Sequence, residues 1–275
     1  MSRQAIISSN IWLASFLAIS PAAATPFIIV QSTTSIQNSG LYKHLLPLFE
    51  AEHDLKVRIV AVGTGQALRN AEKCDADMLI VHSTIDEEEF VSKGFGSQRY
   101  NLMYNDFVMV GPKSDPAQIR TANSTVEAFQ KLANTRSRFA SRGDDSGTHK
   151  AERRFWNMAG ISASDASGKW YLETGLGMGA TLNFAVQSDS YTLSDRATWL
   201  TFRNKTNHEI LFESDPLLFN QYGIVTVSKG HCPKVREALS QRFTGWLLSA
   251  KGQAAIAAFH FKNRPLFFPN ASPAR

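Results

Sequence analysis

Cysteine is scarce in this chain: Cys74 and Cys232 are the only two in 275 residues. Two thiols can form one pair at most, so no disulfide framework organises the fold. Whether they pair stays open. Cys74, in "AEKCDADMLIVHS" between an expected helix and an expected strand, reads as a small buried thiol. The motifs CxxC and HExxH and any histidine cluster are absent, which removes the common metal signatures; no metal site and no cofactor are expected. No segment repeats at a period of 20 to 50 residues, and none is of low complexity. Lys and Arg number 29 against 24 Asp and Glu, a formal charge of +5. They form no dense basic stripe, which argues against nucleic acid as partner. The most apolar run, Ile11 to Ile19, falls short of the ~20 residues that a membrane-spanning helix needs.

Charge is also missing from the N-terminus, where Arg3 is the only charged residue before Lys43. A short basic start, the apolar run "IWLASFLAI" and the small-residue stretch "SPAAATP" match a secretory signal peptide. Cleavage is expected after Ala24. Residues 1–24 are therefore expected to be removed, leaving an exported, soluble chain from about Thr25. Loss of Arg3 lowers the formal charge from +5 to +4, a mild excess that suits a small anionic ligand.

Beyond the leader, strand, polar turn and helix alternate. "PFIIV" is a short β-branched run followed by "QSTTSIQNSG" and a helix carrying Leu41, Leu45, Leu48 and Phe49. Val57 to Val62 feeds Gly63-Thr64-Gly65 and a helix near Gln66. "ADMLIVHS" feeds "TIDEEEF", whose acidic residues read as the solvated, dipole-favoured start of a helix. Such alternation predicts a parallel α/β sheet. After a fourth strand in "YNDFVMVGPKSDPA" the pattern restarts, with a short strand at Arg138 to Ala140, the stretch "SRGDDSGTHKAERRFW", a helix opened by "GLGMGATL" and a strand near Tyr191. "YGIVTVS" is a late strand, and the C-terminal helices end in "FHFKNRPLFFP", which reads as closing a core. The glycines of "GLGMGATL" lack the spacing and the preceding strand of a dinucleotide loop. Two α/β lobes follow, with strands near 104–110 and 222–227 crossing between them. The expected division is lobe I over 25–112 and 216–275, and lobe II over 113–215. A ligand cleft is expected between them.

Three strand ends carry hydroxyls and glycine before a helix: Ser32 to Ser35, Gly63 to Gly65, and Arg142 to Thr148. Unpaired N–H groups at helix starts and hydroxyl donors together make a dehydrated site for an oxyanion. Arg142 adds a charge-assisted contact. Each turn alone is also explained by ordinary capping; three in one chain point to a shared site. Ser146 and His149, three residues apart, raise a hydrolase alternative. Against it stand the missing G-x-S-x-G elbow and the absence of an orienting carboxylate for His149.

At these residues the sequence resembles the tungstate-binding periplasmic proteins of ABC transporters. "STTSIQNSGL" resembles that family's threonine-rich first loop, with Ser32 in place of the usual first threonine. "SRGDDSGTH" is similar to its second signature. "VGTGQAL", "DADMLIVH", "YNDFVMVGPKSDPA", "GMGATL" and "YTLSDRATWL" resemble its intervening blocks, so the likeness runs from about Ile28 to Val227. It implies a two-lobed type II periplasmic-binding-protein fold that closes on tungstate and delivers it to a membrane ABC permease, without catalysis and as a monomer. Molybdate or another oxyanion is the alternative ligand. The ligand set it implies is Ser32, Thr33, Thr34, Ser35 and Thr64 from one lobe, and Arg142, Ser146, Gly147 and Thr148 from the other. Asp144 is expected to hold Arg142 or cap the helix rather than face an anion, and His149 to pack behind the site.

Overall fold

The computed structural model describes residues 24–271, so the expected signal peptide lies almost wholly outside the described residues. Lobe I opens with β1 (Phe27–Thr33), α1 (Thr34–Ser39), α2 (Leu41–Glu50), β2 (Lys56–Val62), α3 (Thr64–Glu72), β3 (Met78–Val81) and α4 (Thr84–Ser92). Strand β1 pairs in parallel with both β2 and β3, as the alternation of strand and helix demands. Strand β3 is buried on both faces because successive side chains point to opposite sides. Met78 and Ile80 join a core with Ile28, Val30, Leu45 and Phe49 on one side. Leu79 and Val81 join Ala67, Leu68 and Phe90 on the other.

The long strand β4 (Gly96–Pro112) belongs to both lobes. Lobe II is completed by α5 (Thr125–Thr135), β5 (Phe139–Ser141), α6 (Gly147–Met158), β6 (Tyr171–Glu173), α7 (Met178–Gln187), β7 (Thr192–Asp195), α8 (Arg196–Thr201) and β8 (His208–Phe212). The return strand β9 (Phe219–Val227) leads to α9 (Glu237–Leu248), α10 (Ala250–Ala257) and the short strands β10 (His260–Phe261), β11 (Arg264–Pro265) and β12 (Phe268–Pro269). Up to Asp106, β4 pairs antiparallel with β9; from Phe107 it pairs with β7 and then β8. The partners of β4 therefore change near Asp106, inside a strand. Arg196 holds both crossings, with two hydrogen bonds to the Asp106 carboxylate at 2.6 and 2.5 Å and a 2.6 Å ion pair to Glu213. The lobe II core is aromatic, with Phe129, Phe139, Phe155 and Trp156 packed together. Leu266 and Phe267 of the C-terminal stretch close the lobe I core.

Two local expectations change. Cys74 is exposed, and it is bonded to Cys232 across 158 residues of sequence, with Cα atoms 5.5 Å apart. The pairing needs two loops of lobe I side by side, which spacing alone does not reveal. Glu87, within the acidic run, is fully buried rather than solvated. Its carboxylate accepts from Arg99 Nε and from the Ser83 backbone N–H, both at 2.7 Å. Burial pushes it up to about 7, with Arg99 opposing the shift.

Candidate functional site

The three hydroxyl-rich strand ends meet at the seam between the lobes. In lobe I, Thr33 ends β1 in an extended conformation and the backbone turns into the six-residue α1 at Thr34. Gly63, also extended, precedes α3, whose first residue is Thr64. From lobe II, Gly143 and Asp145 adopt positive φ of 59° and 57°, and Ser146 then opens the twelve-residue α6. Two glycines permit the contact between lobes. A Cβ on Gly63 would meet Ser146 Cα at 3.4 Å, and one on Gly65 would lie 1.7 Å from the Asp145 carboxylate. The Gly65 N–H donates across the seam to the Asp145 carbonyl at 3.0 Å.

Arg142 is the charge at the centre. It is 1 % exposed. Its guanidinium donates from Nη2 to Thr34 Oγ1 at 3.3 Å and to the Asp144 carboxylate, and from Nε to the Leu176 carbonyl at 3.3 Å. Nη1 makes no hydrogen bond among the described residues. In the same three strand-to-helix turns the hydroxyls of Thr33, Ser35, Thr64 and Thr148 are buried and have no hydrogen-bond partner among the described residues. They make up four of the ten such side-chain atoms among the described residues. A buried polar group left unpaired costs ~1–3 kcal/mol, so each of these four hydroxyls is a candidate donor to a bound acceptor.

Other predicted site residues have different tasks. Ser32 does not face the seam: its hydroxyl donates to the Ile80 carbonyl at 2.9 Å and accepts from the Tyr42 hydroxyl. The reason is strand parity, which puts Ser32 on the same face of β1 as Ile28 and Val30. Thr34 holds Arg142. Ser146 Oγ caps α6 by accepting from the His149 backbone N–H at 3.2 Å, leaving the backbone of Gly147 and Thr148 to open the helix. Asp144 holds Arg142 with one oxygen and takes the Ser146 N–H with the other at 3.2 Å, while the helix cap itself is Ser146. His149 Nδ1 accepts from the Asp145 N–H at 3.1 Å, and burial lowers its pKa. Ser146 Oγ and His149 Nδ1 are thus each bonded to a backbone N–H, and the two side chains share no hydrogen bond with each other.

The sequence reasoning missed several groups behind the seam. His82, just beyond β3, leaves no room for a Cβ on Gly147 (2.7 Å to the ring). Its Nδ1 lies 2.9 Å from Asn220 Oδ1, and Asn220 Nδ2 donates to Asn105 Oδ1 at 2.7 Å. Burial, with smaller contributions from Arg142 and Arg154, pushes His82 down to about 4, against the opposing Asn220 contact. It is neutral at pH 7. Asp195, fully buried at the end of β7, caps α8 through the Thr198 N–H at 2.8 Å and the Thr198 hydroxyl at 2.7 Å. Burial raises its pKa, and Thr198, the Ser35 hydroxyl beside it and Arg142 oppose the rise. Both residues end strands that point into the cleft, the position where α/β sheets gather ligand groups; that position is the signal that was available. Among the described residues one trio, Cys74, His231 and Cys232, brings potential metal-ligand atoms together, and its two sulfurs are the disulfide.

A PBP superfamily domain model matches residues 19–251. The tungstate-binding protein TupA of Peptoclostridium acidaminophilum is 41% identical over 249 residues, covering 89% of this chain and 86% of that protein. Among solved structures, the tungstate-binding protein TupA from Desulfovibrio alaskensis G20 is similar with a TM-score of 0.75 and 40% identity, covering 90% of this chain and 100% of that one. The tungstate ABC transporter structure from Geobacter sulfurreducens has a TM-score of 0.76 and 43% identity, covering 85% and 98%.

Proposed function

The chain belongs to the PBP superfamily and, within it, to the family of tungstate-binding proteins, and on that premise we propose that it is a periplasmic solute-binding protein that captures tungstate between its lobes and delivers it to an ABC permease. The observation that carries the oxyanion reading is the set of four buried, partnerless hydroxyls in the turns of both lobes that meet at the seam, together with the buried Arg142. A tetrahedral dianion is all acceptor. It suits hydroxyls and helix-start N–H groups gathered with one cation, and several short donors replace its hydration shell better than one long side chain. In this reading Thr33, Ser35 and Thr64 donate from lobe I. Thr148, the Gly147 N–H and Arg142 donate from lobe II. Thr34 and Asp144 aim the guanidinium, Ser146 caps α6, and Ser32 braces β1 from behind.

Binding is the whole of the task in this proposal: the chain works as a monomer, without cofactor and without catalysis. Residues 1–24 act as the export signal, which puts the mature chain in the periplasm. The decisive experiment is calorimetric titration of the mature chain, stripped of ligand, with tungstate, molybdate, sulfate and phosphate. Tight tungstate binding with weak sulfate and phosphate is expected, and the molybdate curve measures selectivity. No heat from any of the four, on a folded sample, would overturn the reading.

A further inference from the structure

Beside the proposed anion site runs a chain of charges that the binding reading does not use. The Asp145 carboxylate of lobe II accepts from Arg69 Nη1 of lobe I at 2.8 Å and pairs with Lys150 of its own lobe at 3.0 Å. Lys150 in turn reaches across to Asp86 of lobe I at 2.9 Å. The Asp86 carboxylate also takes the Ser83 hydroxyl, next to His82. Four charges thus alternate in sign across the seam, and two of the three pairs join one lobe to the other. The Asp145 carbonyl receives the Gly65 N–H in the same place, at a spacing that only a residue without a Cβ permits.

We propose that Asp145, with Arg69, Lys150 and Asp86, is a latch that sets how long the lobes stay shut on a captured anion. The latch rests on the reading of the cleft as an anion site. It adds residues that touch no ligand and act through the position of the lobes. The physical argument turns on which state each contact belongs to. Hydrogen bonds inside a lobe exist whether the cleft is open or shut. Arg69–Asp145 and Lys150–Asp86 exist only when it is shut, so their free energy enters the closed-to-open equilibrium and, through it, the release rate. Asp145 is the natural pivot. Asp144, one residue before it, aims Arg142, and Ser146, one residue after it, caps the helix that presents Thr148. Moving Asp145 moves both donors. Arg69 and Asp145 are about half exposed, whereas Lys150 and Asp86 are about three-quarters covered, so the first pair is the more strongly screened by salt.

The test is the release of bound tungstate, followed by tryptophan fluorescence in stopped flow, for the wild type, Asp145→Asn, Lys150→Met and the double variant. Each single change is expected to speed release about three- to ten-fold without slowing association. The double variant should fall short of the product of the two, because both remove one network. At about 1 M salt, where screening acts within about 3 Å, the differences should shrink. Melting temperatures without ligand should stay close to the wild type, as a contact confined to the closed state requires. Equal release rates across the series, or an effect on association alone, would overturn the latch while leaving tungstate binding intact. Should the wild type bind no tungstate, the anion reading fails and the latch is judged by small-angle scattering. Charge reversal by Asp145→Lys must then still enlarge the radius of gyration, and an unchanged value overturns the latch as well.

Discussion

Arg142 is a cation withdrawn from water, and such a charge is costly unless its donors are matched. Asp144, Thr34 and the Leu176 carbonyl satisfy part of the guanidinium; the remainder suits an anionic guest. Arg142→Ala is therefore expected to weaken tungstate binding by at least ~2 kcal/mol, about thirty-fold, in calorimetry. Thr148 offers a finer discrimination. Its hydroxyl is buried without a partner, so Thr148→Val removes an unpaired polar atom at nearly constant shape. Affinity should fall about ten-fold while the melting temperature without ligand holds or rises. A fall in both would show that the hydroxyl is bonded within the protein. Ser32→Ala should do the reverse, lowering stability by about 1 kcal/mol with little change in affinity, because its hydroxyl bonds Ile80 rather than the seam.

At the scale of the element, α6 joins the site to the lobe II core. Its first turn presents Thr148, and its second buries Glu152. That carboxyl accepts from the Tyr171 hydroxyl at 2.7 Å, the Ser141 hydroxyl at 2.9 Å and Trp156 Nε1 at 3.2 Å. No cation pairs with it among the described residues, and burial pushes it up to about 7 despite these three donors. A carboxyl whose folded pKa lies above its unfolded value stabilises the fold below the unfolded pKa, near 4.5, and that stability is lost as pH rises towards 7. Glu152→Gln should accordingly flatten the pH dependence of the melting temperature between about pH 5 and 8, a change of a few degrees. A slope identical to that of the wild type would count against Glu152 as the titrating group. The elements themselves were largely legible in the sequence. "PFIIV", "KVRIVAV" and "ADMLIVHS" have the short β-branched runs of parallel strands, and each feeds a helix. The crossing strand near 104–110 was legible as well; the residue at which its partners change from β9 to β7 was not, since a continuous run of strand residues carries no mark of it.

Across the whole molecule, the disulfide is the covalent tie that longest separates its ends in sequence. It closes a loop of 158 residues that contains all of lobe II. Loop-closure entropy of this kind typically contributes ~2–4 kcal/mol. Cys232→Ser, or reduction, should lower stability by that amount in denaturant unfolding. Tungstate affinity should change little, because both cysteines lie in lobe I away from the seam.

The sequence alone determined the two-lobed α/β architecture, the three hydroxyl-bearing strand ends and the arginine that accompanies them. Each of these is written in local pattern: β-branched runs, glycine turns, and donors placed where a helix starts. Tertiary structure decided the rest. It turned Ser32 away from the seam by the pleat of β1, although parity with Ile28 and Val30 already held that information. It brought His82, Asn220 and Asp195 behind the site from strands far apart in the chain. It set Asp145 of one lobe against Gly65 and Arg69 of the other, and Cys74 beside Cys232. Contacts of that kind depend on how lobes and loops pack across long separations, and no periodicity within a segment encodes them.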